Sequence, residues 1–161
     1  MISLQEALLF SSSDYFLWLY DQLGEARFAG YLKRSGWFGK EIPKDWLGND
    51  ALAMVRGWNL KISPNQQHAF IQRVMNGDLA SNEKVQQKLK TALEWPSQNS
   101  KVRLFGKTGT YGGVVWFNGF GESDAGQKAV TVVIFESGGR REKAIALFYE
   151  RWKEPVPVIF Q

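Results

Sequence analysis

The stretch FGKTGTYGGVVWFNGF, residues 105 to 120, sets a lysine, a threonine and a glycine in a row and follows them with a glycine pair and an apolar, aromatic run. Two β-prone runs joined by Gly112 and Gly113 read as a hairpin. The Lys107 ammonium and the Thr108 hydroxyl, at a strand edge, can hold a carboxylate, and Gly109 lets a ligand approach the backbone closely. Three residues alone would equally suit a β-turn with a surface lysine. The rest of the chain therefore decides what the stretch means.

Downstream, "KVRLFGK", "GGVVWFNGF" and "KAVTVVIFE" are expected to form three adjacent antiparallel strands within residues 101 to 136. "RREKAIALFYERWK" then reads as a closing helix over residues 140 to 152, with Ala144, Leu147, Phe148 and Arg151 on one stripe. The tail "EPVPVIFQ" carries two prolines and is expected to be extended or to lie at an edge.

Upstream the period is helical. Residues 3 to 10 make a short helix, and Ser11-Ser12-Ser13-Asp14 is a capping cluster before "YFLWLYDQLG". "EARFAGYLKRSG" follows, with Phe28, Tyr31 and Leu32 on one face. Residues 37 to 62 read as a long loop. Ser63-Pro64-Asn65-Gln66 is a helix start with cap, first-turn proline and capping box, and Asn76-Gly77 is its stop. Ser81 opens a further helix through Val85, Leu89 and Leu93, ended by Pro96. Helices, then an antiparallel meander, then a helix against it, is an α+β arrangement. The 161 residues, 44% of them hydrophobic, suit one domain over residues 1 to 161.

Composition narrows the chemistry. There is no cysteine, which removes disulfides, thiolate metal sites and thiol catalysis. His68 is the only histidine, so a multi-histidine metal centre is excluded and no cofactor is expected. The net charge of +4 is spread along the chain, and most tryptophans lie in apolar strings, so a nucleic-acid partner is the least favoured reading. No segment is long enough to span a membrane, and the start, with Glu6 and no basic residues, is not a signal peptide.

The order of these segments resembles the class D serine β-lactamases. "LQEALLFSSSDYFLWLYDQLGEARFAGYLKRSGWFGK" is similar to that family's helix, Ser-x-Val motif and paired helices. "LKISPNQQHAFIQRVMNGDLASNEKVQQKLKTAL" resembles its Leu-x-Ile-Ser turn and following helices, and "GKTGTYGGVVWFNGF" resembles its Lys-Thr-Gly strand and the Trp-rich strand after it. The likeness runs from about residue 3 to residue 150. It implies a partial β-lactamase/transpeptidase-like fold. It also implies that Ser11 stands for the relay serine of Ser-x-Val, with Ser13 where the family has valine. By the same likeness Lys107, Thr108 and Gly109 hold the substrate carboxylate, helped by Arg140 or Arg141. The implied ligands are a β-lactam or a peptidoglycan peptide, and the implied reaction is β-lactam hydrolysis through a serine acyl-enzyme.

Three positions depart from the pattern. Phe38-Gly39-Lys40 stands where the family has Tyr-Gly-Asn, and Val55 stands where it has a tryptophan, with Trp58 nearby. The nucleophilic Ser-x-x-Lys lies well before Ser-x-Val in the family. Here the single such pattern is Ser81-Asn82-Glu83-Lys84, on a late helix. The chain alone is therefore expected to bind without forming an acyl-enzyme. A non-catalytic sensor and a transpeptidase relative acting on D-Ala-D-Ala peptides are the alternatives. The family's first sheet strands fall outside the likeness, so a dimer, a strand exchange or a strand from the tail is expected to cover the sheet edge. The implied location is periplasmic or extracellular if a signal-bearing segment precedes the chain, and cytoplasmic otherwise.

Overall fold

A computed structural model describes residues 2–37, 62–136 and 138–160. Phe38-Gly39-Lys40, Val55, Trp58 and most of the expected long loop lie outside the described residues.

The helical layer comes first. Ser3 and Glu6 form a reciprocal capping box that starts α1 (Leu4–Leu9). Ser12 caps α2 (Ser13–Leu23) by accepting from the Tyr15 amide, and Gly24, at φ 73°, ends α2 and begins α3 (Glu25–Ser35). A left-handed backbone is open to glycine at little cost, which is why the chain turns there. In α4 (Pro64–Asn76) the Ser63–Gln66 capping box, Pro64 in the first turn and the left-handed Gly77 after the last are all as expected. The next helix, α5 (Glu83–Leu93), is capped by Asn82 rather than Ser81, because the Asn82 side chain reaches the Val85 amide at 3.0 Å.

α5 does not run on to Pro96. It passes into a two-residue strand, β1 (Glu94–Trp95), which pairs with the start of β2 (Arg103–Tyr111). β3 (Val114–Ser123) and β4 (Gly126–Phe135) complete an antiparallel meander in the order β1-β2-β3-β4. The sheet thus has four strands where the pattern predicted three. The hairpin turns set the register: Lys107 stands opposite Asn118, and Asn118 opposite Thr131.

The closing helix α6 (Arg141–Arg151) packs on one face of the sheet. Its buried residues are Ala144, Ile145, Phe148 and Tyr149, while Leu147 and Arg151 are exposed, so the expected stripe is shifted. The Phe117 ring stacks on Phe148 with centroids 4.0 Å apart. It lies flat because Gly106 and Gly119, paired across β2 and β3, leave no Cβ in its way. Trp152 lies over Gly121 in the same manner. The opposite face carries Phe105 and Phe120, stacked on each other and packed with Ile71 and Val74 of α4.

The tail is not a strand. Val158–Phe160 form a 3-10 turn, and the Phe160 ring sits 4.5 Å from Trp95. Glu154 is buried and accepts from Ser97 Oγ and from the Gln98 and Asn99 amides, while the Tyr149 hydroxyl donates to the Pro96 carbonyl at 2.7 Å. These bonds fix the β1–β2 connection, and with it the strand that carries Lys107.

Candidate active site

Side chains alternate across a strand, so Phe105, Lys107 and Gly109 share one face of β2 while Leu104, Gly106 and Thr108 share the other. Lys107 therefore projects toward the helical layer. Its Nζ donates to Ser11 Oγ at 2.5 Å and to the Thr108 carbonyl at 2.6 Å. Ser11 and Lys107, far apart in sequence, meet as the family likeness requires.

Ser11 does not cap α2. Ser12 takes that role, which leaves the Ser11 hydroxyl free for Lys107. The Ser11 backbone has φ 54°, one of two non-glycine residues among those described with a positive φ. Holding a residue with a Cβ there costs about 1–2 kcal/mol. Such strain persists where the surroundings impose it and often marks a working residue.

Burial pushes the Lys107 ammonium down to about 8, and the positive charge of Arg141 adds to the shift. A desolvated cation binds an anion more strongly than a hydrated one, since less water must be displaced. Arg141 opens α6 and is exposed. Arg140, also exposed, occupies the N-cap without making a side-chain cap bond. Of the two arginines, Arg141 is the one whose field reaches Lys107.

Lys107 borders a cleft of about 930 Å³ between the sheet and α4–α5. Its walls are mainly apolar, among them Phe70, Leu89, Leu93 and Phe120. Thr108 and Gly109 also line it, though Thr108 belongs by alternation to the opposite face and is buried. A Cβ on Gly109 would meet only the Trp116 Cβ at 3.9 Å, an ordinary contact, so packing within the chain does not demand a glycine there. The freed space lies on the cleft side.

The residue pattern did not single out Asn118, Thr131 and His68. Cross-strand register puts Lys107, Asn118 and Thr131 in one row, and His68 of α4 meets Thr131 at 3.3 Å. Asn118 Oδ1 is buried without a hydrogen-bond partner. The asparagine inside the apolar run VVWFNGF was the available signal. Ser81 and Lys84 are both exposed at the start of α5, and neither lines the cleft. Among the described residues no cluster of His, Asp and Glu could hold a metal, and no helix is long and apolar enough to cross a membrane.

The Ser11–Lys107 contact lies on the face of the antiparallel sheet that meets the helices. The penicillin binding protein transpeptidase domain model matches residues 1–148, and the chain belongs to that family. Its fold is also that of solved class D β-lactamases. A class D β-lactamase from Bacillus subtilis superposes with a TM-score of 0.75 at 21% identity, covering 95% of this chain and 63% of the other. One from Nostoc gives 0.71 at 20% identity, covering 92% and 62%. One from Sebaldella termitidis gives 0.69 at 17% identity, covering 94% and 64%. The chain thus spans less than two thirds of the length of each of the three. No curated protein gives a significant sequence match.

Proposed function

We propose that this chain carries the carboxylate-recognising and proton-relay side of a class D β-lactamase-like site, and that alone it binds its ligand without turning it over. The observation that carries the reading is the 2.5 Å contact of Lys107 Nζ with Ser11 Oγ beside an apolar cleft. Lys107 holds the ligand carboxylate, with the field of Arg141 supporting it. Because Lys107 donates to Ser11 Oγ, Ser11 is placed to hand its own hydroxyl proton to the leaving nitrogen while taking one from Lys107. The ligands are β-lactams or the acyl peptides they mimic.

An acylating serine needs a base within hydrogen-bond reach. Ser11 already serves the relay side of the pocket, and the exposed Ser81 stands apart from the cleft. Hydrolysis in the family proceeds through an acyl-enzyme on a Ser-x-x-Lys placed before the relay serine, whereas Ser81-Asn82-Glu83-Lys84 follows Ser11. Calorimetry with benzylpenicillin, together with intact mass after incubation, tests this. Binding without a covalent adduct supports the reading, and a stoichiometric adduct on Ser11 or Ser81 overturns it.

The match to a transpeptidase domain supports a second reading, a relative that acts on peptides ending in D-Ala-D-Ala. Tighter binding of such a peptide than of benzylpenicillin would select it.

A further inference from the structure

β1 runs along β2 only opposite Leu104 and Phe105, because residue 93 already belongs to α5. Gly106 is the first β2 residue past that pairing, and it comes directly before Lys107. Trp95 stands opposite Leu104, and side chains on one face recur every second residue, so its indole lies on the face that Gly106 shares. The ring reaches two residues further along β2 than its own backbone does. Its Nε1 donates to the Gly106 carbonyl at 2.9 Å, in a buried contact. A side chain thus continues the ladder where the strand has stopped.

Gly106 needs such a partner. A Cβ at that position would collide with the Phe117 ring and the Asn118 carbonyl, so the seat of Phe117 admits only glycine there. Glycine has the freest backbone of any residue, and here it adjoins the lysine of the site. The Gly106 carbonyl and the Lys107 amide belong to one planar peptide unit. Fixing that carbonyl therefore fixes the plane from which Lys107 projects. The indole is itself held firmly. It meets Phe117 edge-to-face with centroids 4.9 Å apart and Phe160 at 4.5 Å, while the next residue, Pro96, accepts from the Tyr149 hydroxyl.

We propose that Trp95 is a positioning residue: through its bond to the Gly106 carbonyl it sets where the Lys107 ammonium lies. That placement lets Lys107 Nζ meet both the Ser11 hydroxyl and the Thr108 carbonyl. The consequence for a ligand carboxylate rests on the function proposed above, whereas the consequence for Lys107 itself does not. Without the indole donor the Gly106 carbonyl is buried and unpaired, a costly state. The peptide then tilts toward water to satisfy it and carries Lys107 along.

Replacing Trp95 by 3-benzothienylalanine, an isostere with sulfur where the indole carries its N–H, removes the donor and keeps the shape. Trp95→Phe removes the donor by ordinary mutagenesis. Phe148→Leu loosens the same core without touching a donor, and controls for lost packing. An NMR titration of the lysine side chains reads the ammonium, with the Lys107 signal assigned by its loss in Lys107→Met. In wild type the midpoint lies at about 8. Both Trp95 replacements should move it up toward the ordinary 10.5 as the amine gains water, and Phe148→Leu should leave it in place. Benzylpenicillin affinity, by calorimetry, should fall roughly fivefold to tenfold in both Trp95 replacements. A wild type that binds no benzylpenicillin removes the carboxylate reading, and the titration still decides the role of Trp95. An unmoved Lys107 midpoint in the benzothienylalanine chain overturns the proposal. So does an equal movement in Phe148→Leu, which would make Trp95 a packing residue only.

Discussion

The Lys107 ammonium rests on the Ser11 hydroxyl across 96 residues of chain, and both groups pay for the position. The lysine is desolvated, and the serine backbone is held left-handed. Neither would be favoured by stability alone, so both make measurable predictions.

Lys107 has its folded pKa lowered to about 8 from 10.5. The unfolded chain therefore binds more protons than the folded one between those values, and stability rises with pH across that window. Below pH 8 both states are protonated and the full cost of burying the charge is present. Lys107→Met should be more stable than wild type near pH 7, by about 1 kcal/mol once solvent screening and the lost hydrogen bonds are discounted. The difference should shrink as pH climbs from 8 toward 10.5. Paired urea titrations read it directly, and a pH-independent difference would refute the desolvated lysine.

Ligand binding should run the other way. The carboxylate needs the charged form of Lys107, so affinity for benzylpenicillin should be flat below pH 8 and fall above it. Charge-assisted hydrogen bonds contribute about 1.5–3 kcal/mol. Lys107→Met should accordingly weaken binding roughly tenfold to a hundredfold, as measured by calorimetry at pH 7.

Ser11→Ala and Ser11→Gly both delete the hydroxyl, and they differ in backbone freedom alone. The glycine variant should be more stable than the alanine variant by about 1 kcal/mol. Equal melting temperatures would show that the φ of 54° carries no strain.

Glu154 ties three donors of the Ser97–Asn99 turn to the end of α6. Glu154→Ala should cost about 2 kcal/mol. Because that turn leads into β2, benzylpenicillin affinity should drop as well, even though Glu154 does not line the cleft.

Gly121→Ala would push a methyl group into the Trp152 ring. The substitution should destabilise by about 1–3 kcal/mol and shift tryptophan emission as the ring leaves the sheet. Gly109→Ala, which meets only the Trp116 Cβ, should leave stability within about 0.5 kcal/mol of wild type.

The helix boundaries at Ser63–Gln66 and Gly77 were legible in the sequence because capping and left-handed stops are local chemistry. The three long strands and the closing helix were legible for a similar reason, since their apolar periods are long enough to read. β1 was not, because two residues cannot show an alternation. The expected α6 stripe held at Ala144 and Phe148 but not at Leu147 and Arg151, because the face laid against the sheet also buries Ile145 and Tyr149. Helical period alone does not reveal which edge of an apolar stripe faces the sheet. The choice of Ser12 over Ser11 as cap, and of Asn82 over Ser81, was not legible because both neighbours are good capping residues by type. The meeting of Ser11 with Lys107 was foreseen through family likeness. The Lys107–Asn118–Thr131 row needed the strand register, which depends on both hairpin turns.

The helical layer that carries Ser11 is thinly anchored. α2 has no buried residue, α1 buries only Ala7, and α3 only Leu32. The strand that carries Lys107 also carries the fully buried Leu104 and Phe105, and packs beside the buried Phe117 and Phe120 of β3. The two halves of the site thus belong to regions that open at different free energies. Amides of α1 to α3 should exchange with solvent through sub-global openings, while those of β2 and β3 should wait for global unfolding. Each such opening breaks the Ser11–Lys107 contact and re-forms it, with the sheet intact. A ligand that touches both residues would slow exchange in the helices while leaving the sheet amides almost unchanged.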